Sequence, residues 1–159
     1  MTMLLIFYSS NHVDVAEYLA RLGYVGLAID MYGDLVPADE RTWPADASRI
    51  EAFQKTCFKG MVACDHDFEF FRALLGEWLD LGLSHVTVDS SVSAAAIGYC
   101  FGGVAVLEAV RGGLDFSGVV SFHGLLQTGE DGSPAMYGVD RPLVKPCDNV
   151  HNVNTIVLI

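Results

Sequence analysis

The chain has 159 residues, of which 52% are hydrophobic, and its formal net charge is −11. This length suits a single domain over residues 1–159, and the apolar content supplies a core and argues against disorder. The acidic balance disfavours nucleic acid and anionic membrane surfaces as partners, because both bind basic patches. Glycines interrupt the uncharged run at residues 90–107, so we expect no membrane span there.

The cysteines indicate a reducing compartment. None of the four forms a C-x-x-C pair, and their spacing matches no zinc framework. The first residues lack the basic segment that opens a secretory signal peptide, so we expect reduced thiols and a cytoplasmic location. We also expect no cofactor. His66, near Cys64, Asp65 and Asp67, suggests a metal site, but we favour the polar start of a helix.

Strand and helix patterns alternate through the first half of the chain. The continuous apolar run at residues 3–8 predicts a strand buried on both faces. Helical spacing at residues 13–22, which Gly23 ends, is followed by a second apolar strand at residues 25–29. Glycine, prolines and mixed charge predict a loop at residues 31–46.

The alternation continues in the second half. We expect a short helix near residues 47–56 and a longer one at about 65–81. A strand at residues 94–99, a helix at 102–111 and a strand at 117–122 follow, and residues 125–159 read as an irregular tail that ends in an apolar strand at 155–159. This pattern predicts the α/β class, with a parallel sheet flanked by helices on both faces.

A cysteine stands at the junction between the strand at residues 94–99 and the helix after it. Gly98-Tyr99-Cys100-Phe101-Gly102 fits the pattern G-x-nucleophile-x-G of a strained strand-to-helix turn. The glycines let strand and helix pass closely, and the Phe101 N–H would face a developing oxyanion. The amino end of a helix also favours a thiolate. The alternative is a structural cysteine in a glycine-rich crossover, and we favour the nucleophile.

Three segments together resemble the dienelactone hydrolase family of the α/β-hydrolase fold. They are IGYCFGG at residues 97–103, VVSFHG at 119–124 and HVDVAEYLARLGYVGLAIDMYGD at 12–34. The resemblance implies an α/β-hydrolase fold, incomplete at both ends, that acts on a small-molecule ester or lactone. It makes Cys100 the nucleophile, the Phe101 N–H an oxyanion donor, and Gly98, Gly102 and Gly103 the elbow glycines.

The resemblance also has gaps, which bear on activity. No residue matches the Asp or His that completes the family's triad, and the loop after the first strand lacks the family's His-Glu pair. Tyr32 matches a family tyrosine, but Gly33 and Asp34 follow it instead of an arginine that binds the substrate carboxylate. His123 is a weak candidate for the missing base, and His151 is a weaker one.

We therefore expect a cysteine-dependent ester or lactone hydrolase that is impaired because its Asp and His partners are missing. The alternative is a non-catalytic remnant or binding module of the same fold. A flavodoxin-like or nucleotide-binding domain lacks support, because no G-x-G-x-x-G follows the first strand and no Walker loop occurs. Missing strands would leave apolar surface uncovered, so we also expect a marginal or self-associating chain.

Overall fold

The strands form one parallel sheet. The computed structural model describes residues 3–7, 10–35, 37, 47–85, 88–89, 91, 93–124 and 156–158. Its strands are β1 (Met3–Phe7), β2 (Val25–Ile29), β3 (Ala94–Tyr99), β4 (Phe116–Phe122) and β5 (Ile156–Leu158). They pair in the order β2-β1-β3-β4-β5, and every pairing is parallel. The predicted α/β class and the predicted strands are confirmed within the described ranges.

Four α-helices accompany the strands in the described part of the chain. They are α1 (Ser10–Arg21), α2 (Ile50–His66), α3 (Phe68–Leu83) and α4 (Phe101–Arg111), with short 3₁₀ turns at Gly33–Leu35 and Ala47–Arg49. Helix α1 begins three residues earlier than predicted, and it ends before Gly23, whose φ of 94° no other residue type adopts easily. None of these helices is long and apolar enough to cross a membrane.

The predicted short helix at residues 47–56 is wrong in its extent. After the 3₁₀ turn, α2 continues to His66 and passes through Gly60. A glycine inside a helix costs only about 1 kcal/mol relative to alanine, and this one is buried in the fold, so packing outweighs that cost. The break falls at Asp67, whose carboxylate accepts a hydrogen bond from the Phe70 N–H at 2.9 Å. The polar cluster at residues 64–67 is therefore not the helix start that the sequence predicted: Cys64, Asp65 and His66 end α2. Only Asp67 lies at the start of α3, which begins at Phe68 and not at residue 65.

Helices α1 and α4 cover opposite faces of the sheet. A Cβ atom added to Gly26 would lie 2.4 Å from the Ala16 carbonyl oxygen, so Gly26 faces α1. Gly26 shares its face with Ala95, because both align with Leu4 on β1. Gly98 lies on the other face of β3, and a Cβ there would meet the backbone of α4. The prediction of a sheet flanked on both faces is therefore confirmed.

The core lies mainly between the sheet and α4. Its buried apolar side chains include Ile29, Leu75, Leu79, Ala94, Ala96, Val104, Ala105, Val106, Leu107, Ala109, Phe116 and Val119. Glu108 is the charged exception on α4, and only 4% of its surface is exposed. Its carboxylate binds Arg72 of α3 at 3.0 Å and also Arg111, so the buried charge is paired twice.

The described residues divide into two compact units. One unit comprises residues 3–31, 72–124 and 156–158 and contains the whole sheet with α1 and α4. The other comprises the described residues between 32 and 71 and contains α2. The single domain over residues 1–159 stays a prediction, and the tail predicted at 125–159 lies outside the described residues except for β5.

Candidate active site

Cys100 occupies a strained turn between β3 and α4. Its backbone has φ 53° and ψ −115°, outside the regions that non-glycine residues normally adopt. A strained turn of this kind lifts a side chain out of the sheet edge, and Cys100 is exposed while Phe101 and the next eight residues of α4 are buried. Cys100 thus lies exposed between β3 and α4, and its role as a nucleophile stays a prediction.

Two glycine contacts explain why the elbow needs small residues. A Cβ atom on Gly98 would lie 2.0 Å from the Gly102 carbonyl oxygen, which is far inside any van der Waals contact. A Cβ atom on Gly103 would lie 2.6 Å from Ser121 Oγ and 2.8 Å from Gly124 Cα. Gly98 therefore lets β3 approach α4 closely, and Gly103 lets α4 approach the end of β4 closely.

Backbone hydrogen bonds fix Cys100 on both sides. Its N–H donates to the Phe122 carbonyl oxygen at 3.0 Å, which ties the turn to the end of β4. Its own carbonyl oxygen accepts from the N–H groups of Gly103 at 3.0 Å and Val104 at 3.3 Å, which starts α4. The N–H of Phe101, the predicted oxyanion donor, belongs to this first turn.

The strand order reverses beside Cys100. The chain leaves β1 towards β2 on one side, and the strand on the other side of β1 is β3. In open parallel sheets, ligands bind at the carboxyl ends of strands where the order reverses in this way. Helix α1 follows β1 and Cys100 follows β3, so both lie at that end of the sheet.

Three aromatic rings stack at the same edge. The His12 ring of α1 lies 5.6 Å from the Tyr99 ring with an interplanar angle of 21°, and the Tyr99 ring lies 4.8 Å from the Phe122 ring at 10°. Tyr99 precedes Cys100 in the chain, and the Phe122 carbonyl oxygen accepts the hydrogen bond from the Cys100 N–H. Sequence reasoning missed His12 as a neighbour of the site, and only the position of β1 beside β3 reveals it.

His123, the weak candidate base, directly follows β4. Its side chain is exposed and its φ is 42°, so both non-glycine residues with positive φ in the described chain lie at this edge. Its neighbour Phe122 is the hydrogen-bond partner of Cys100. A role for His123 in the chemistry stays a prediction.

The other predicted residues fall elsewhere. Tyr32 belongs to the second compact unit, just before the 3₁₀ turn at Gly33–Leu35, and its place in the site stays a prediction. His151 and Cys147 lie outside the described residues. Across the described ranges, no group of three or more His, Cys, Asp or Glu side chains is arranged to hold a metal ion.

Comparison with known proteins supports the fold described above. The dienelactone hydrolase family matches residues 6–158, which is nearly the whole chain. The chain belongs to the dienelactone hydrolase family. Its sheet, with helices on both faces, is consistent with an incomplete version of the α/β-hydrolase fold of that family.

Two solved structures give the scale of the likeness. The structure titled m3DLH is 29% identical with a TM-score of 0.61, and the match covers 79% of this chain and 49% of that one. A dienelactone hydrolase-like promiscuous phosphotriesterase, P91, from metagenomic libraries is 28% identical with a TM-score of 0.61, covering 83% and 51%. This chain therefore spans about half the length of either structure. No curated protein matches it.

Proposed function

We propose that Cys100 is the nucleophile of a dienelactone hydrolase-like site that accepts small esters or lactones. The observation that carries this proposal is the strained backbone of Cys100 at the strand–helix junction, with its thiol exposed. Strain of this kind is retained where surrounding structure enforces it, and it clusters at functional sites. The glycine contacts of Gly98 and Gly103 provide that enforcement.

The acylation step uses only groups at the elbow. The thiolate sulfur bonds to the carbonyl carbon, and the carbonyl electron pair moves onto oxygen. The Phe101 N–H stabilises that oxyanion as a backbone donor. Collapse of the tetrahedral intermediate expels the alcohol or phenol oxygen with its electron pair and leaves a thioester on Cys100. A good leaving group needs little acid assistance, so an activated ester suits this step.

Deacylation needs more than the elbow supplies. A base must take a proton from water before the oxygen attacks the thioester. No residue of this chain matches the family's Asp and His, so we propose that turnover is impaired. His123 is the candidate replacement, because it follows Phe122 at the edge where Cys100 lies.

The second candidate is a non-catalytic remnant or binding module. The close contacts of Gly98 and Gly103 support it, because dense packing alone would also require small residues there. Iodoacetamide labelling of the native chain separates the two proposals. We expect Cys100 to be alkylated selectively near neutral pH, with the buried Cys64 as an internal control. Protection of Cys100 equal to that of Cys64 would favour the remnant.

The setting of this site is also a proposal. We propose a cytoplasmic chain whose partner is a small-molecule ester or lactone, with neither nucleic acid nor a membrane surface, as its charge of −11 favours. Phe122, Ile156 and Leu158 are 44%, 68% and 58% exposed on β4 and β5. Exposed apolar strands promote association, so sedimentation is expected to show self-association. A compact monomer with a sharp thermal transition would contradict this expectation.

A further inference from the structure

The elbow backbone is also restrained from outside its own sequence. Cys100 holds φ 53° although it is not a glycine, and a conformation of this kind persists only where the surrounding structure enforces it. The hydrogen bond from its N–H to the Phe122 carbonyl oxygen supports that conformation from β4. Any contact that fixes Phe122 relative to Tyr99 therefore also restrains the turn at Cys100.

The stacked rings of His12, Tyr99 and Phe122 lie where such a restraint is needed. Tyr99 and Phe122 are directly paired across β3 and β4, and their rings stack at 4.8 Å beside the Cys100 hydrogen bond. His12 extends the stack from α1, which follows β1, the strand beside β3. Ring pairs at such separations stabilise a fold by more than the burial of their surface area alone accounts for.

We propose that this aromatic stack is a positioning device for the nucleophile and that His12 is its outermost positioning residue. His12 acts through Tyr99: its ring limits the movement of Tyr99, and the Tyr99–Phe122 pair keeps the end of β3 in register with β4. The inference rests on the proposed function for its catalytic meaning. Its structural content, restraint of the Cys100 backbone, is independent of any reaction.

Amide hydrogen exchange of the full chain tests the restraint directly. In His12→Ala, the Cys100 N–H is expected to exchange about two- to tenfold faster, the range that the energy of one aromatic pair gives. The Leu107 N–H, in the middle of α4, serves as the reference for global stability. His12→Phe keeps a ring at this position and is expected to restore wild-type exchange. Tyr18→Ala, which removes a ring that is 60% exposed on the same helix, is the matched control and is expected to change nothing.

A catalytic measurement accompanies the exchange. Acetylation of Cys100 by p-nitrophenyl acetate is expected to slow by the same two- to tenfold factor in His12→Ala and to recover in His12→Phe. If the wild-type chain shows no Cys100-dependent acetylation, the proposed function fails while the exchange experiment still decides the positioning role. Unchanged Cys100 exchange in His12→Ala, an equal change at Leu107, or no recovery with phenylalanine would overturn the inference.

Discussion

Gly98→Ala tests whether the elbow packing positions the nucleophile. The added Cβ would lie 2.0 Å from the Gly102 carbonyl oxygen and 2.7 Å from the Gly103 nitrogen, both backbone atoms that cannot rotate away. Ordinary contact begins at 3.4 Å, so β3 and the start of α4 must separate by about 1.4 Å. Overpacking usually costs about 1–3 kcal/mol, and we expect the upper end here because neither partner is a flexible side chain.

The same displacement acts on catalysis. A misplacement of about 1 Å at a reacting group can lower a rate roughly hundredfold, so acetylation of Cys100 is expected to fall by about that factor in Gly98→Ala. Gly26→Ala is the matched control, because its Cβ would lie 2.4 Å from the Ala16 carbonyl oxygen between β2 and α1. It is expected to lose comparable stability in urea unfolding. Acetylation in the folded protein is expected to fall by no more than the two- to tenfold given for loss of the His12 ring, because in the described part of the chain α1 acts on Cys100 only through that ring.

The assay is the initial rate of p-nitrophenol release with one equivalent of ester. It is measured without urea, at a temperature at which both variants are folded. If folded Gly98→Ala is acetylated at the same rate as the wild-type chain, the claim that this packing sets the position of Cys100 is refuted. An equal loss in Gly26→Ala would show that general destabilisation, and not elbow geometry, controls the rate.

Three further substitutions test the packing around the site by urea unfolding. Glu108→Ala leaves Arg72 and Arg111 without their buried partner and is expected to cost about 3 kcal/mol; a loss within 0.5 kcal/mol, roughly the size of a surface effect, would contradict this. Ser121→Ala removes a buried hydroxyl that finds no hydrogen-bond partner among the described residues, so stability is expected to hold or rise by about 1 kcal/mol, whereas a clear loss would reveal a partner. Gly76 lies inside α3, and Gly76→Ala adds a Cβ at an ordinary contact distance of 3.7 Å from the Leu114 side chain. This substitution is expected to stabilise the fold by up to about 1 kcal/mol, whereas destabilisation would show tighter packing there.

Much of the fold could be predicted because buried parallel strands have a simple signature. Continuous apolar runs marked β1 and β2, since strands covered on both faces need no polar alternation. The extent of α2 was not predicted, because its continuation past residue 56 and through Gly60 depends on burial, which is a tertiary property. The start of α3 was predicted at about residue 65, three residues too early, because residues 65 and 66 belong to the end of α2.

The candidate site divides in the same way. The strand–turn–helix geometry at Cys100 could be predicted because these elements are contiguous, so Gly98 and Gly102 meet across four residues of chain. The contact between His12 and Tyr99 could not, because it depends on β1 lying beside β3. Local patterns carry no information about strand order, and that order decides which distant residues lie at the same sheet edge as Cys100.

The role of Cys100 as a nucleophile is tested most directly by mass spectrometry of the chain after exposure to excess p-nitrophenyl acetate. Peptide mapping is expected to place a single acetyl group on Cys100, with a burst of at most one p-nitrophenol per chain. Cys100→Ala is expected to show neither, and His123→Ala is expected to keep the burst. No acetyl group on Cys100 would contradict the nucleophile assignment, and steady Cys100-dependent turnover would contradict the impaired deacylation.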